Sequence, residues 1–94
     1  MNITDKKNQK IDIVLTLYGD VLYNLTESIN QNGADYDTVR RAAHKVLDES
    51  LTSGELSAIL KLEGSLNGKF PGVQNRVKSL LRVQVRNRLL SPEN

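Results

Sequence analysis

Eight apolar residues near the amino terminus, Ile11, Val14, Leu15, Tyr18, Val21, Leu22, Leu25 and Ile29, follow a three-four helical spacing: 11, 15, 18, 22, 25 and 29 step by four and three alternately, and Val14 and Val21 each precede a member of that series. That spacing places all eight on one face of a helix and requires a second apolar surface to cover them. A helix over 8–31 is therefore predicted. Gly19 lies within it and is less favourable there than alanine by about 1 kcal/mol, so it is either tolerated or admits a close neighbour. Asn32-Gly33 supplies the left-handed residue that commonly closes a helix.

Further helix signals follow. Asp35 or Asp37 can cap a helix over 36–51 that turns Tyr36, Val39, Ala43, Val46, Leu47 and Leu51 inward. Thr52-Ser53-Gly54-Glu55 has the spacing of a capping box and introduces a helix over 54–66, with Leu56, Ile59, Leu60 and Leu66 inside and Gly64 weakening its last turn before Asn67-Gly68. Pro71 suits the first position of a fourth helix over 71–90, and Ser91-Pro92 favours an extended chain beyond it. The expectation is an all-α fold, a small antiparallel bundle of four helices forming one domain over 1–94, with flexible ends at 1–7 and 91–94.

The segment 81–89 has a second reading. Leu81, Val83 and Val85 alternate with Arg82, Gln84 and Arg86 as in a strand, whereas Lys78, Arg82 and Arg86 recur every four residues as on a helix. No second convincing strand exists to pair with it, and a lone strand leaves its amides and carbonyls unsatisfied. As a helix it carries Val73, Val77, Leu80, Leu81 and Val85 on a slightly drifting apolar face, with Val83 and Leu90 outside it.

Size and composition narrow the function. A chain of 94 residues holds one modest core, and with four aromatic residues, Tyr18, Tyr23, Tyr36 and Phe70, that core is mainly aliphatic. The lack of cysteine removes disulfides and thiolate chemistry and agrees with a cytoplasmic setting. The polar amino terminus and the interruption of the first apolar run by Asp12 and Asp20 fit neither a signal peptide nor a membrane span. The triplets Asn2-Ile3-Thr4 and Asn24-Leu25-Thr26 match a glycosylation sequon, but the second falls inside the helical pattern.

Catalytic and metal-binding signals are sparse. The single histidine, His44, has Asp48 four residues on as a potential orienting carboxylate, yet no serine or cysteine nucleophile has a motif around it. The Asp35-x-Asp37 pair lacks the spacing of a calcium loop, and "LNGKFPG" lacks that of a phosphate loop. Neither an enzyme nor a cofactor or metal protein is expected.

Charge is divided unevenly. Residues 1–68 carry seven Lys/Arg against ten Asp/Glu, and residues 69–94 carry six against one, so a net +2 chain has a basic last quarter. Arg76, Lys78, Arg82, Arg86 and Arg88 are the candidate contact residues, with Arg40, Arg41 and Lys45 as an accessory patch. Two ligands remain open: another protein with an acidic surface, and nucleic acid. A helix-turn-helix over 36–66 is a poor reader of DNA, since its second helix offers Glu55 and Glu63 against Lys61. The expected function is that of a small regulatory or inhibitory protein acting by docking. Ile13, Leu17 and Tyr23 lie outside the main stripe of the first helix, and a homodimer completing the core is the alternative to their burial within one chain.

The pieces "DIVLTLYGDV" and "PGVQNRVKSLL" are similar to segments of the small helical immunity proteins that protect lactic acid bacteria from their own class II bacteriocins. The resemblance implies an antiparallel four-helix bundle that binds a membrane-receptor complex without catalysis. It covers under a quarter of the chain, has an additional helix-sized segment between its two pieces, and identifies no functional residue.

Overall fold

The computed structural model describes residues 3–29, 35–66 and 71–90, with side chains over 6–29, 35–61 and 74–90. The protein is all-helical, and no strand occurs among the described residues, so 81–89 takes the helical reading. The elements are α1 (Ile3–Leu17), α2 (Gly19–Ile29), α3 (Tyr36–Ser50), α4 (Ser53–Leu66), α5 (Pro71–Ser79), a π-helical turn (Leu80–Val85) and α6 (Arg86–Leu90). The extents of 37 × 32 × 18 Å make a flat body, and its thin dimension accommodates two helix layers.

The expected first helix is two. It begins at Ile3 and is interrupted at Tyr18, where the amides of Val21 and Leu22 both converge on the Tyr18 carbonyl at 3.1 and 3.2 Å. Gly19 opens α2, and the position its Cβ would occupy is 3.7 Å from the Tyr36 hydroxyl, which is ordinary van der Waals contact. No unusually close approach requires this glycine. All eight residues of the predicted stripe are nevertheless buried, because the interruption leaves the two helices in phase.

Helix α3 starts as its sequence dictates: the Asp35 carboxylate accepts the Thr38 amide at 2.8 Å. Val39, Ala43, Val46, Leu47 and Leu51 are buried, joined by Ala42, whereas Tyr36 is 38% exposed and does not face inward. The capping box before α4 is formed in both directions, with the Glu55 amide donating to the Thr52 hydroxyl and the Thr52 amide donating to the Glu55 carboxylate. Leu56 and Ile59 enter the core and Leu60 packs against it. The Asn32-Gly33 and Asn67-Gly68 helix ends lie outside the described residues, as do the side chains of Glu63, Leu66 and Val73.

The fourth expected helix is widened in its middle by the π-turn. In an α-helix, four residues overshoot a full turn by about 40°, so Val77, Leu81, Val85 and Leu89 would precess by about 120°. A turn closed by i→i+5 hydrogen bonds winds through more residues and cancels that drift. Val77, Leu81 and Val85 are accordingly all fully buried, with Leu89 against the core. Leu80 is only half-buried, and Val83 and Leu90 are exposed.

Chain directions follow from paired side chains. Lys7 meets Asp48 while Asp12 approaches both Arg40 and His44, so α1 and α3 are antiparallel. By contrast, Tyr18 and Asp20 lie opposite Gln74 and Lys78, and Leu25 and Ser28 lie opposite Arg82 and Arg86. Helix α2 therefore advances in the same direction as the C-terminal helix. The break at Tyr18 and the π-turn subdivide two of the four expected helices, so the count of four is not met exactly, and α2 runs with the C-terminal helix rather than against it.

Candidate binding surface

The five candidate cations of the C-terminal helix fall into two groups. Arg76 pairs with Glu55 of α4 at 3.2 Å, and Arg88 pairs with Glu49 of α3. Lys78, Arg82 and Arg86 make no ion pair among the described residues. They stand one turn apart because the π-turn that straightens the apolar row straightens the adjacent cationic row as well.

Opposite them, α2 presents Asp20, Asn24 and Ser28, also four residues apart. The two rows border a groove made of two adjoining recesses that share Val21, Asn24 and Arg82. One, of about 290 Å³, is bordered by Asp20, Gln74 and Lys78, with Leu17 at its edge. The other, of about 180 Å³, has Leu25 beneath it and Ser28 and Arg86 beside it. Although Asp20 and Lys78 border the same recess, they do not close into an ion pair. Leu17 is 53% exposed at this end, whereas Val21 and Leu25 below the recesses are buried.

Two of the three accessory-patch residues face acidic partners. Arg40 lies 3.7 Å from Asp12, and Arg41 is bound to Asp37, whose carboxylate holds its guanidinium above its usual pKa. Lys45 is exposed. Where α3 meets α6, its contributing group is the acid Glu49 rather than any of these bases.

The remaining polar residues have structural partners. His44 faces Asp12 at 3.9 Å, while Asp48 is taken by Lys7, which also donates to the Asp48 carbonyl, so no His44–Asp48 dyad forms. Asp35 caps α3 and Asp37 pairs with Arg41, which separates the two acids of the Asp-x-Asp pair. The Thr38 amide holds Asp35 below the ordinary carboxylate range, and the Thr52 amide does the same for Glu55, aided by Arg76. No cluster of three or more histidine, aspartate or glutamate side chains suited to a metal occurs among the described residues. Thr26 of the second sequon is buried and donates to the Leu22 carbonyl within α2, while Asn2 of the first lies outside the described residues.

Sequence reasoning identified the cations but not their groove partners. The spacing of Asp20, Asn24 and Ser28 beside a buried face was the available signal. Among the described residues, no helix is long and apolar enough to cross a membrane. Comparison with protein-family models, curated proteins and solved structures found no match to this chain.

Proposed function

We propose that the protein is a small non-enzymatic regulator or inhibitor, working in the cytoplasm by docking on another protein through Lys78, Arg82 and Arg86. Its scaffold is read as four helical rods, the first bent at Tyr18 and the fourth widened at the π-turn. The observation that carries the reading is the division of cations. Arg76 and Arg88 are engaged within the chain, whereas the three between them are aligned and lack an acidic partner among the described residues. Such a row chiefly raises association rate and selects partners by charge.

A nucleic-acid track has less support. Asp20 borders the same groove, and Arg40 and Arg41 of the accessory patch are paired with Asp12 and Asp37, so phosphates would meet carboxylates at both places.

The test is Arg82→Glu combined with Arg86→Glu, two exposed changes that should leave helicity and melting unaltered. Capture of the native partner should fall at least about tenfold, and the association rate of the parent protein should decline with salt. Unchanged capture by a folded double variant would overturn the assignment.

A further inference from the structure

We infer that the groove between α2 and the C-terminal helix is a peptide-binding site for an acidic, leucine-bearing segment of another protein; this rests on, and sharpens, the protein-docking reading. Three parallel rows with one period define it. Leu17 is the exposed end of an apolar row continued by the buried Val21 and Leu25, Asp20, Asn24 and Ser28 form a polar wall, and Lys78, Arg82 and Arg86 a cationic wall.

The rows select their occupant by chemistry. Leu17, 53% exposed at the mouth of the groove, offers a surface that a leucine side chain can cover, while Val21 and Leu25 are buried beneath the recesses. Arg82 borders both recesses, and its planar fork can hold one carboxylate bidentately while Arg86 or Lys78 receives the next. Asn24 and Gln74 add amide donors from opposite walls, and these neutral groups suit peptide carbonyls as well as carboxylates. A purely polyanionic ligand would leave Leu17 uncovered and bring charge against Asp20.

The open state of the groove is itself informative. Asp20 and Lys78 border one recess without forming an ion pair, although the same helix closes pairs with its other neighbours, Arg76 with Glu55 of α4 and Arg88 with Glu49 of α3. The separation leaves space for inserted side chains between the walls. The matching periods on α2 and on the widened C-terminal helix give a ligand whose acidic residues recur every four positions the same register along the groove.

The test uses a fluorescein-labelled helical peptide in which Glu recurs at four-residue spacing beside a Leu row, measured by anisotropy against the full chain. Expected are saturable binding, a loss of about tenfold or more with Asn24→Trp, and the same loss with Arg82→Glu plus Arg86→Glu. Asn24 is exposed, so the indole fills the groove without altering a cation or the core. Replacing the peptide's leucines by serine should weaken binding to the same degree.

Several outcomes overturn the inference: no binding, binding indifferent to the leucines, tighter binding of a single-stranded oligonucleotide of equal charge, or conversion of a dimer to monomer by Asn24→Trp. The last would make the occupant a second copy. Capture of the native partner separates this inference from the broader reading. Capture that survives Asn24→Trp but is lost on reversal of Arg82 and Arg86 keeps protein docking and removes the groove; capture that survives both removes both.

Discussion

Deletion of Val83 from the C-terminal helix should leave the protein folded and nearly as stable as the parent. Removing a residue from a regular helix rotates everything beyond it by about 100° and normally turns a buried row outward. Here, Val83 lies within the π-turn and is 48% exposed. Val77, Leu81, Val85 and Leu89 are spaced by four, four and four. Without Val83 the steps become four, three and four, which place the same side chains within about 60° of one another on an uninterrupted α-helix. The deletion therefore replaces a rare wide turn by a regular one while preserving the buried stripe.

The magnitude comes from contrast with a deletion in a regular helix. Removing the exposed Lys45 from α3 rotates the fully or almost fully buried Val46, Leu47 and Leu51 off their positions. Each such side chain is worth about 1.5–3 kcal/mol of burial, so a loss of at least about 3 kcal/mol is expected even after local adjustment. Deletion of Val83 should cost under about 1 kcal/mol. Urea denaturation followed by circular dichroism measures both, and comparable losses for the two deletions would refute the account of the π-turn. Retained capture by the Val83 deletion is also expected, because Lys78, Arg82 and Arg86 keep a common face after the change.

Leu47→Ala removes a fully buried side chain from the core and should lower unfolding free energy by about 2–5 kcal/mol, read from the shift in urea midpoint. Thr52→Ala removes the hydroxyl that accepts the Glu55 amide and should cost about 1 kcal/mol by the same assay, with little effect on ligand binding. Acid titration should reveal the caps. Asp35 and Glu55 are held below their ordinary values of 3.8 and 4.5, so they stabilise the fold above those values and that contribution is lost as pH falls through the lower folded values. Asp35→Asn with Glu55→Gln should make stability less dependent on pH across that window, and an unchanged slope would contradict the assigned hydrogen bonds.

Burial was legible wherever it followed a helical period. The stripe from Ile11 to Ile29 could be read across the break at Tyr18 because the helices on either side remain in phase; for the same reason the break itself left no trace in the pattern. The π-turn did leave one. A period of four in the apolar row and an equal period in the cationic row both departed from 3.6, and the departure looks like drift until the widened turn is seen to absorb it. Tyr36 was misplaced: at the first turn of α3 it is 38% exposed, with its hydroxyl beside Gly19 at the start of α2. Arg88 and Glu49 are 39 residues apart, so their pairing depends on tertiary packing that no local spacing encodes.

That packing also determines what the basic helix can do. Its position is set by Val77, Leu81 and Val85, which are fully buried, and not by the ion pairs of Arg76 and Arg88, whose groups are substantially exposed and contribute little to stability. The pairs instead neutralise the two ends, where Glu55 and Glu49 confront the terminal arginines. Positive charge is thereby concentrated at Lys78, Arg82 and Arg86, over the stretch that the π-turn aligns beside α2. A uniform basic helix would attract polyanions along its whole length; this one has a short unneutralised centre next to the exposed Leu17, and under the proposed docking function that centre takes a ligand carrying a few carboxylates and an apolar side chain rather than one carrying phosphates alone.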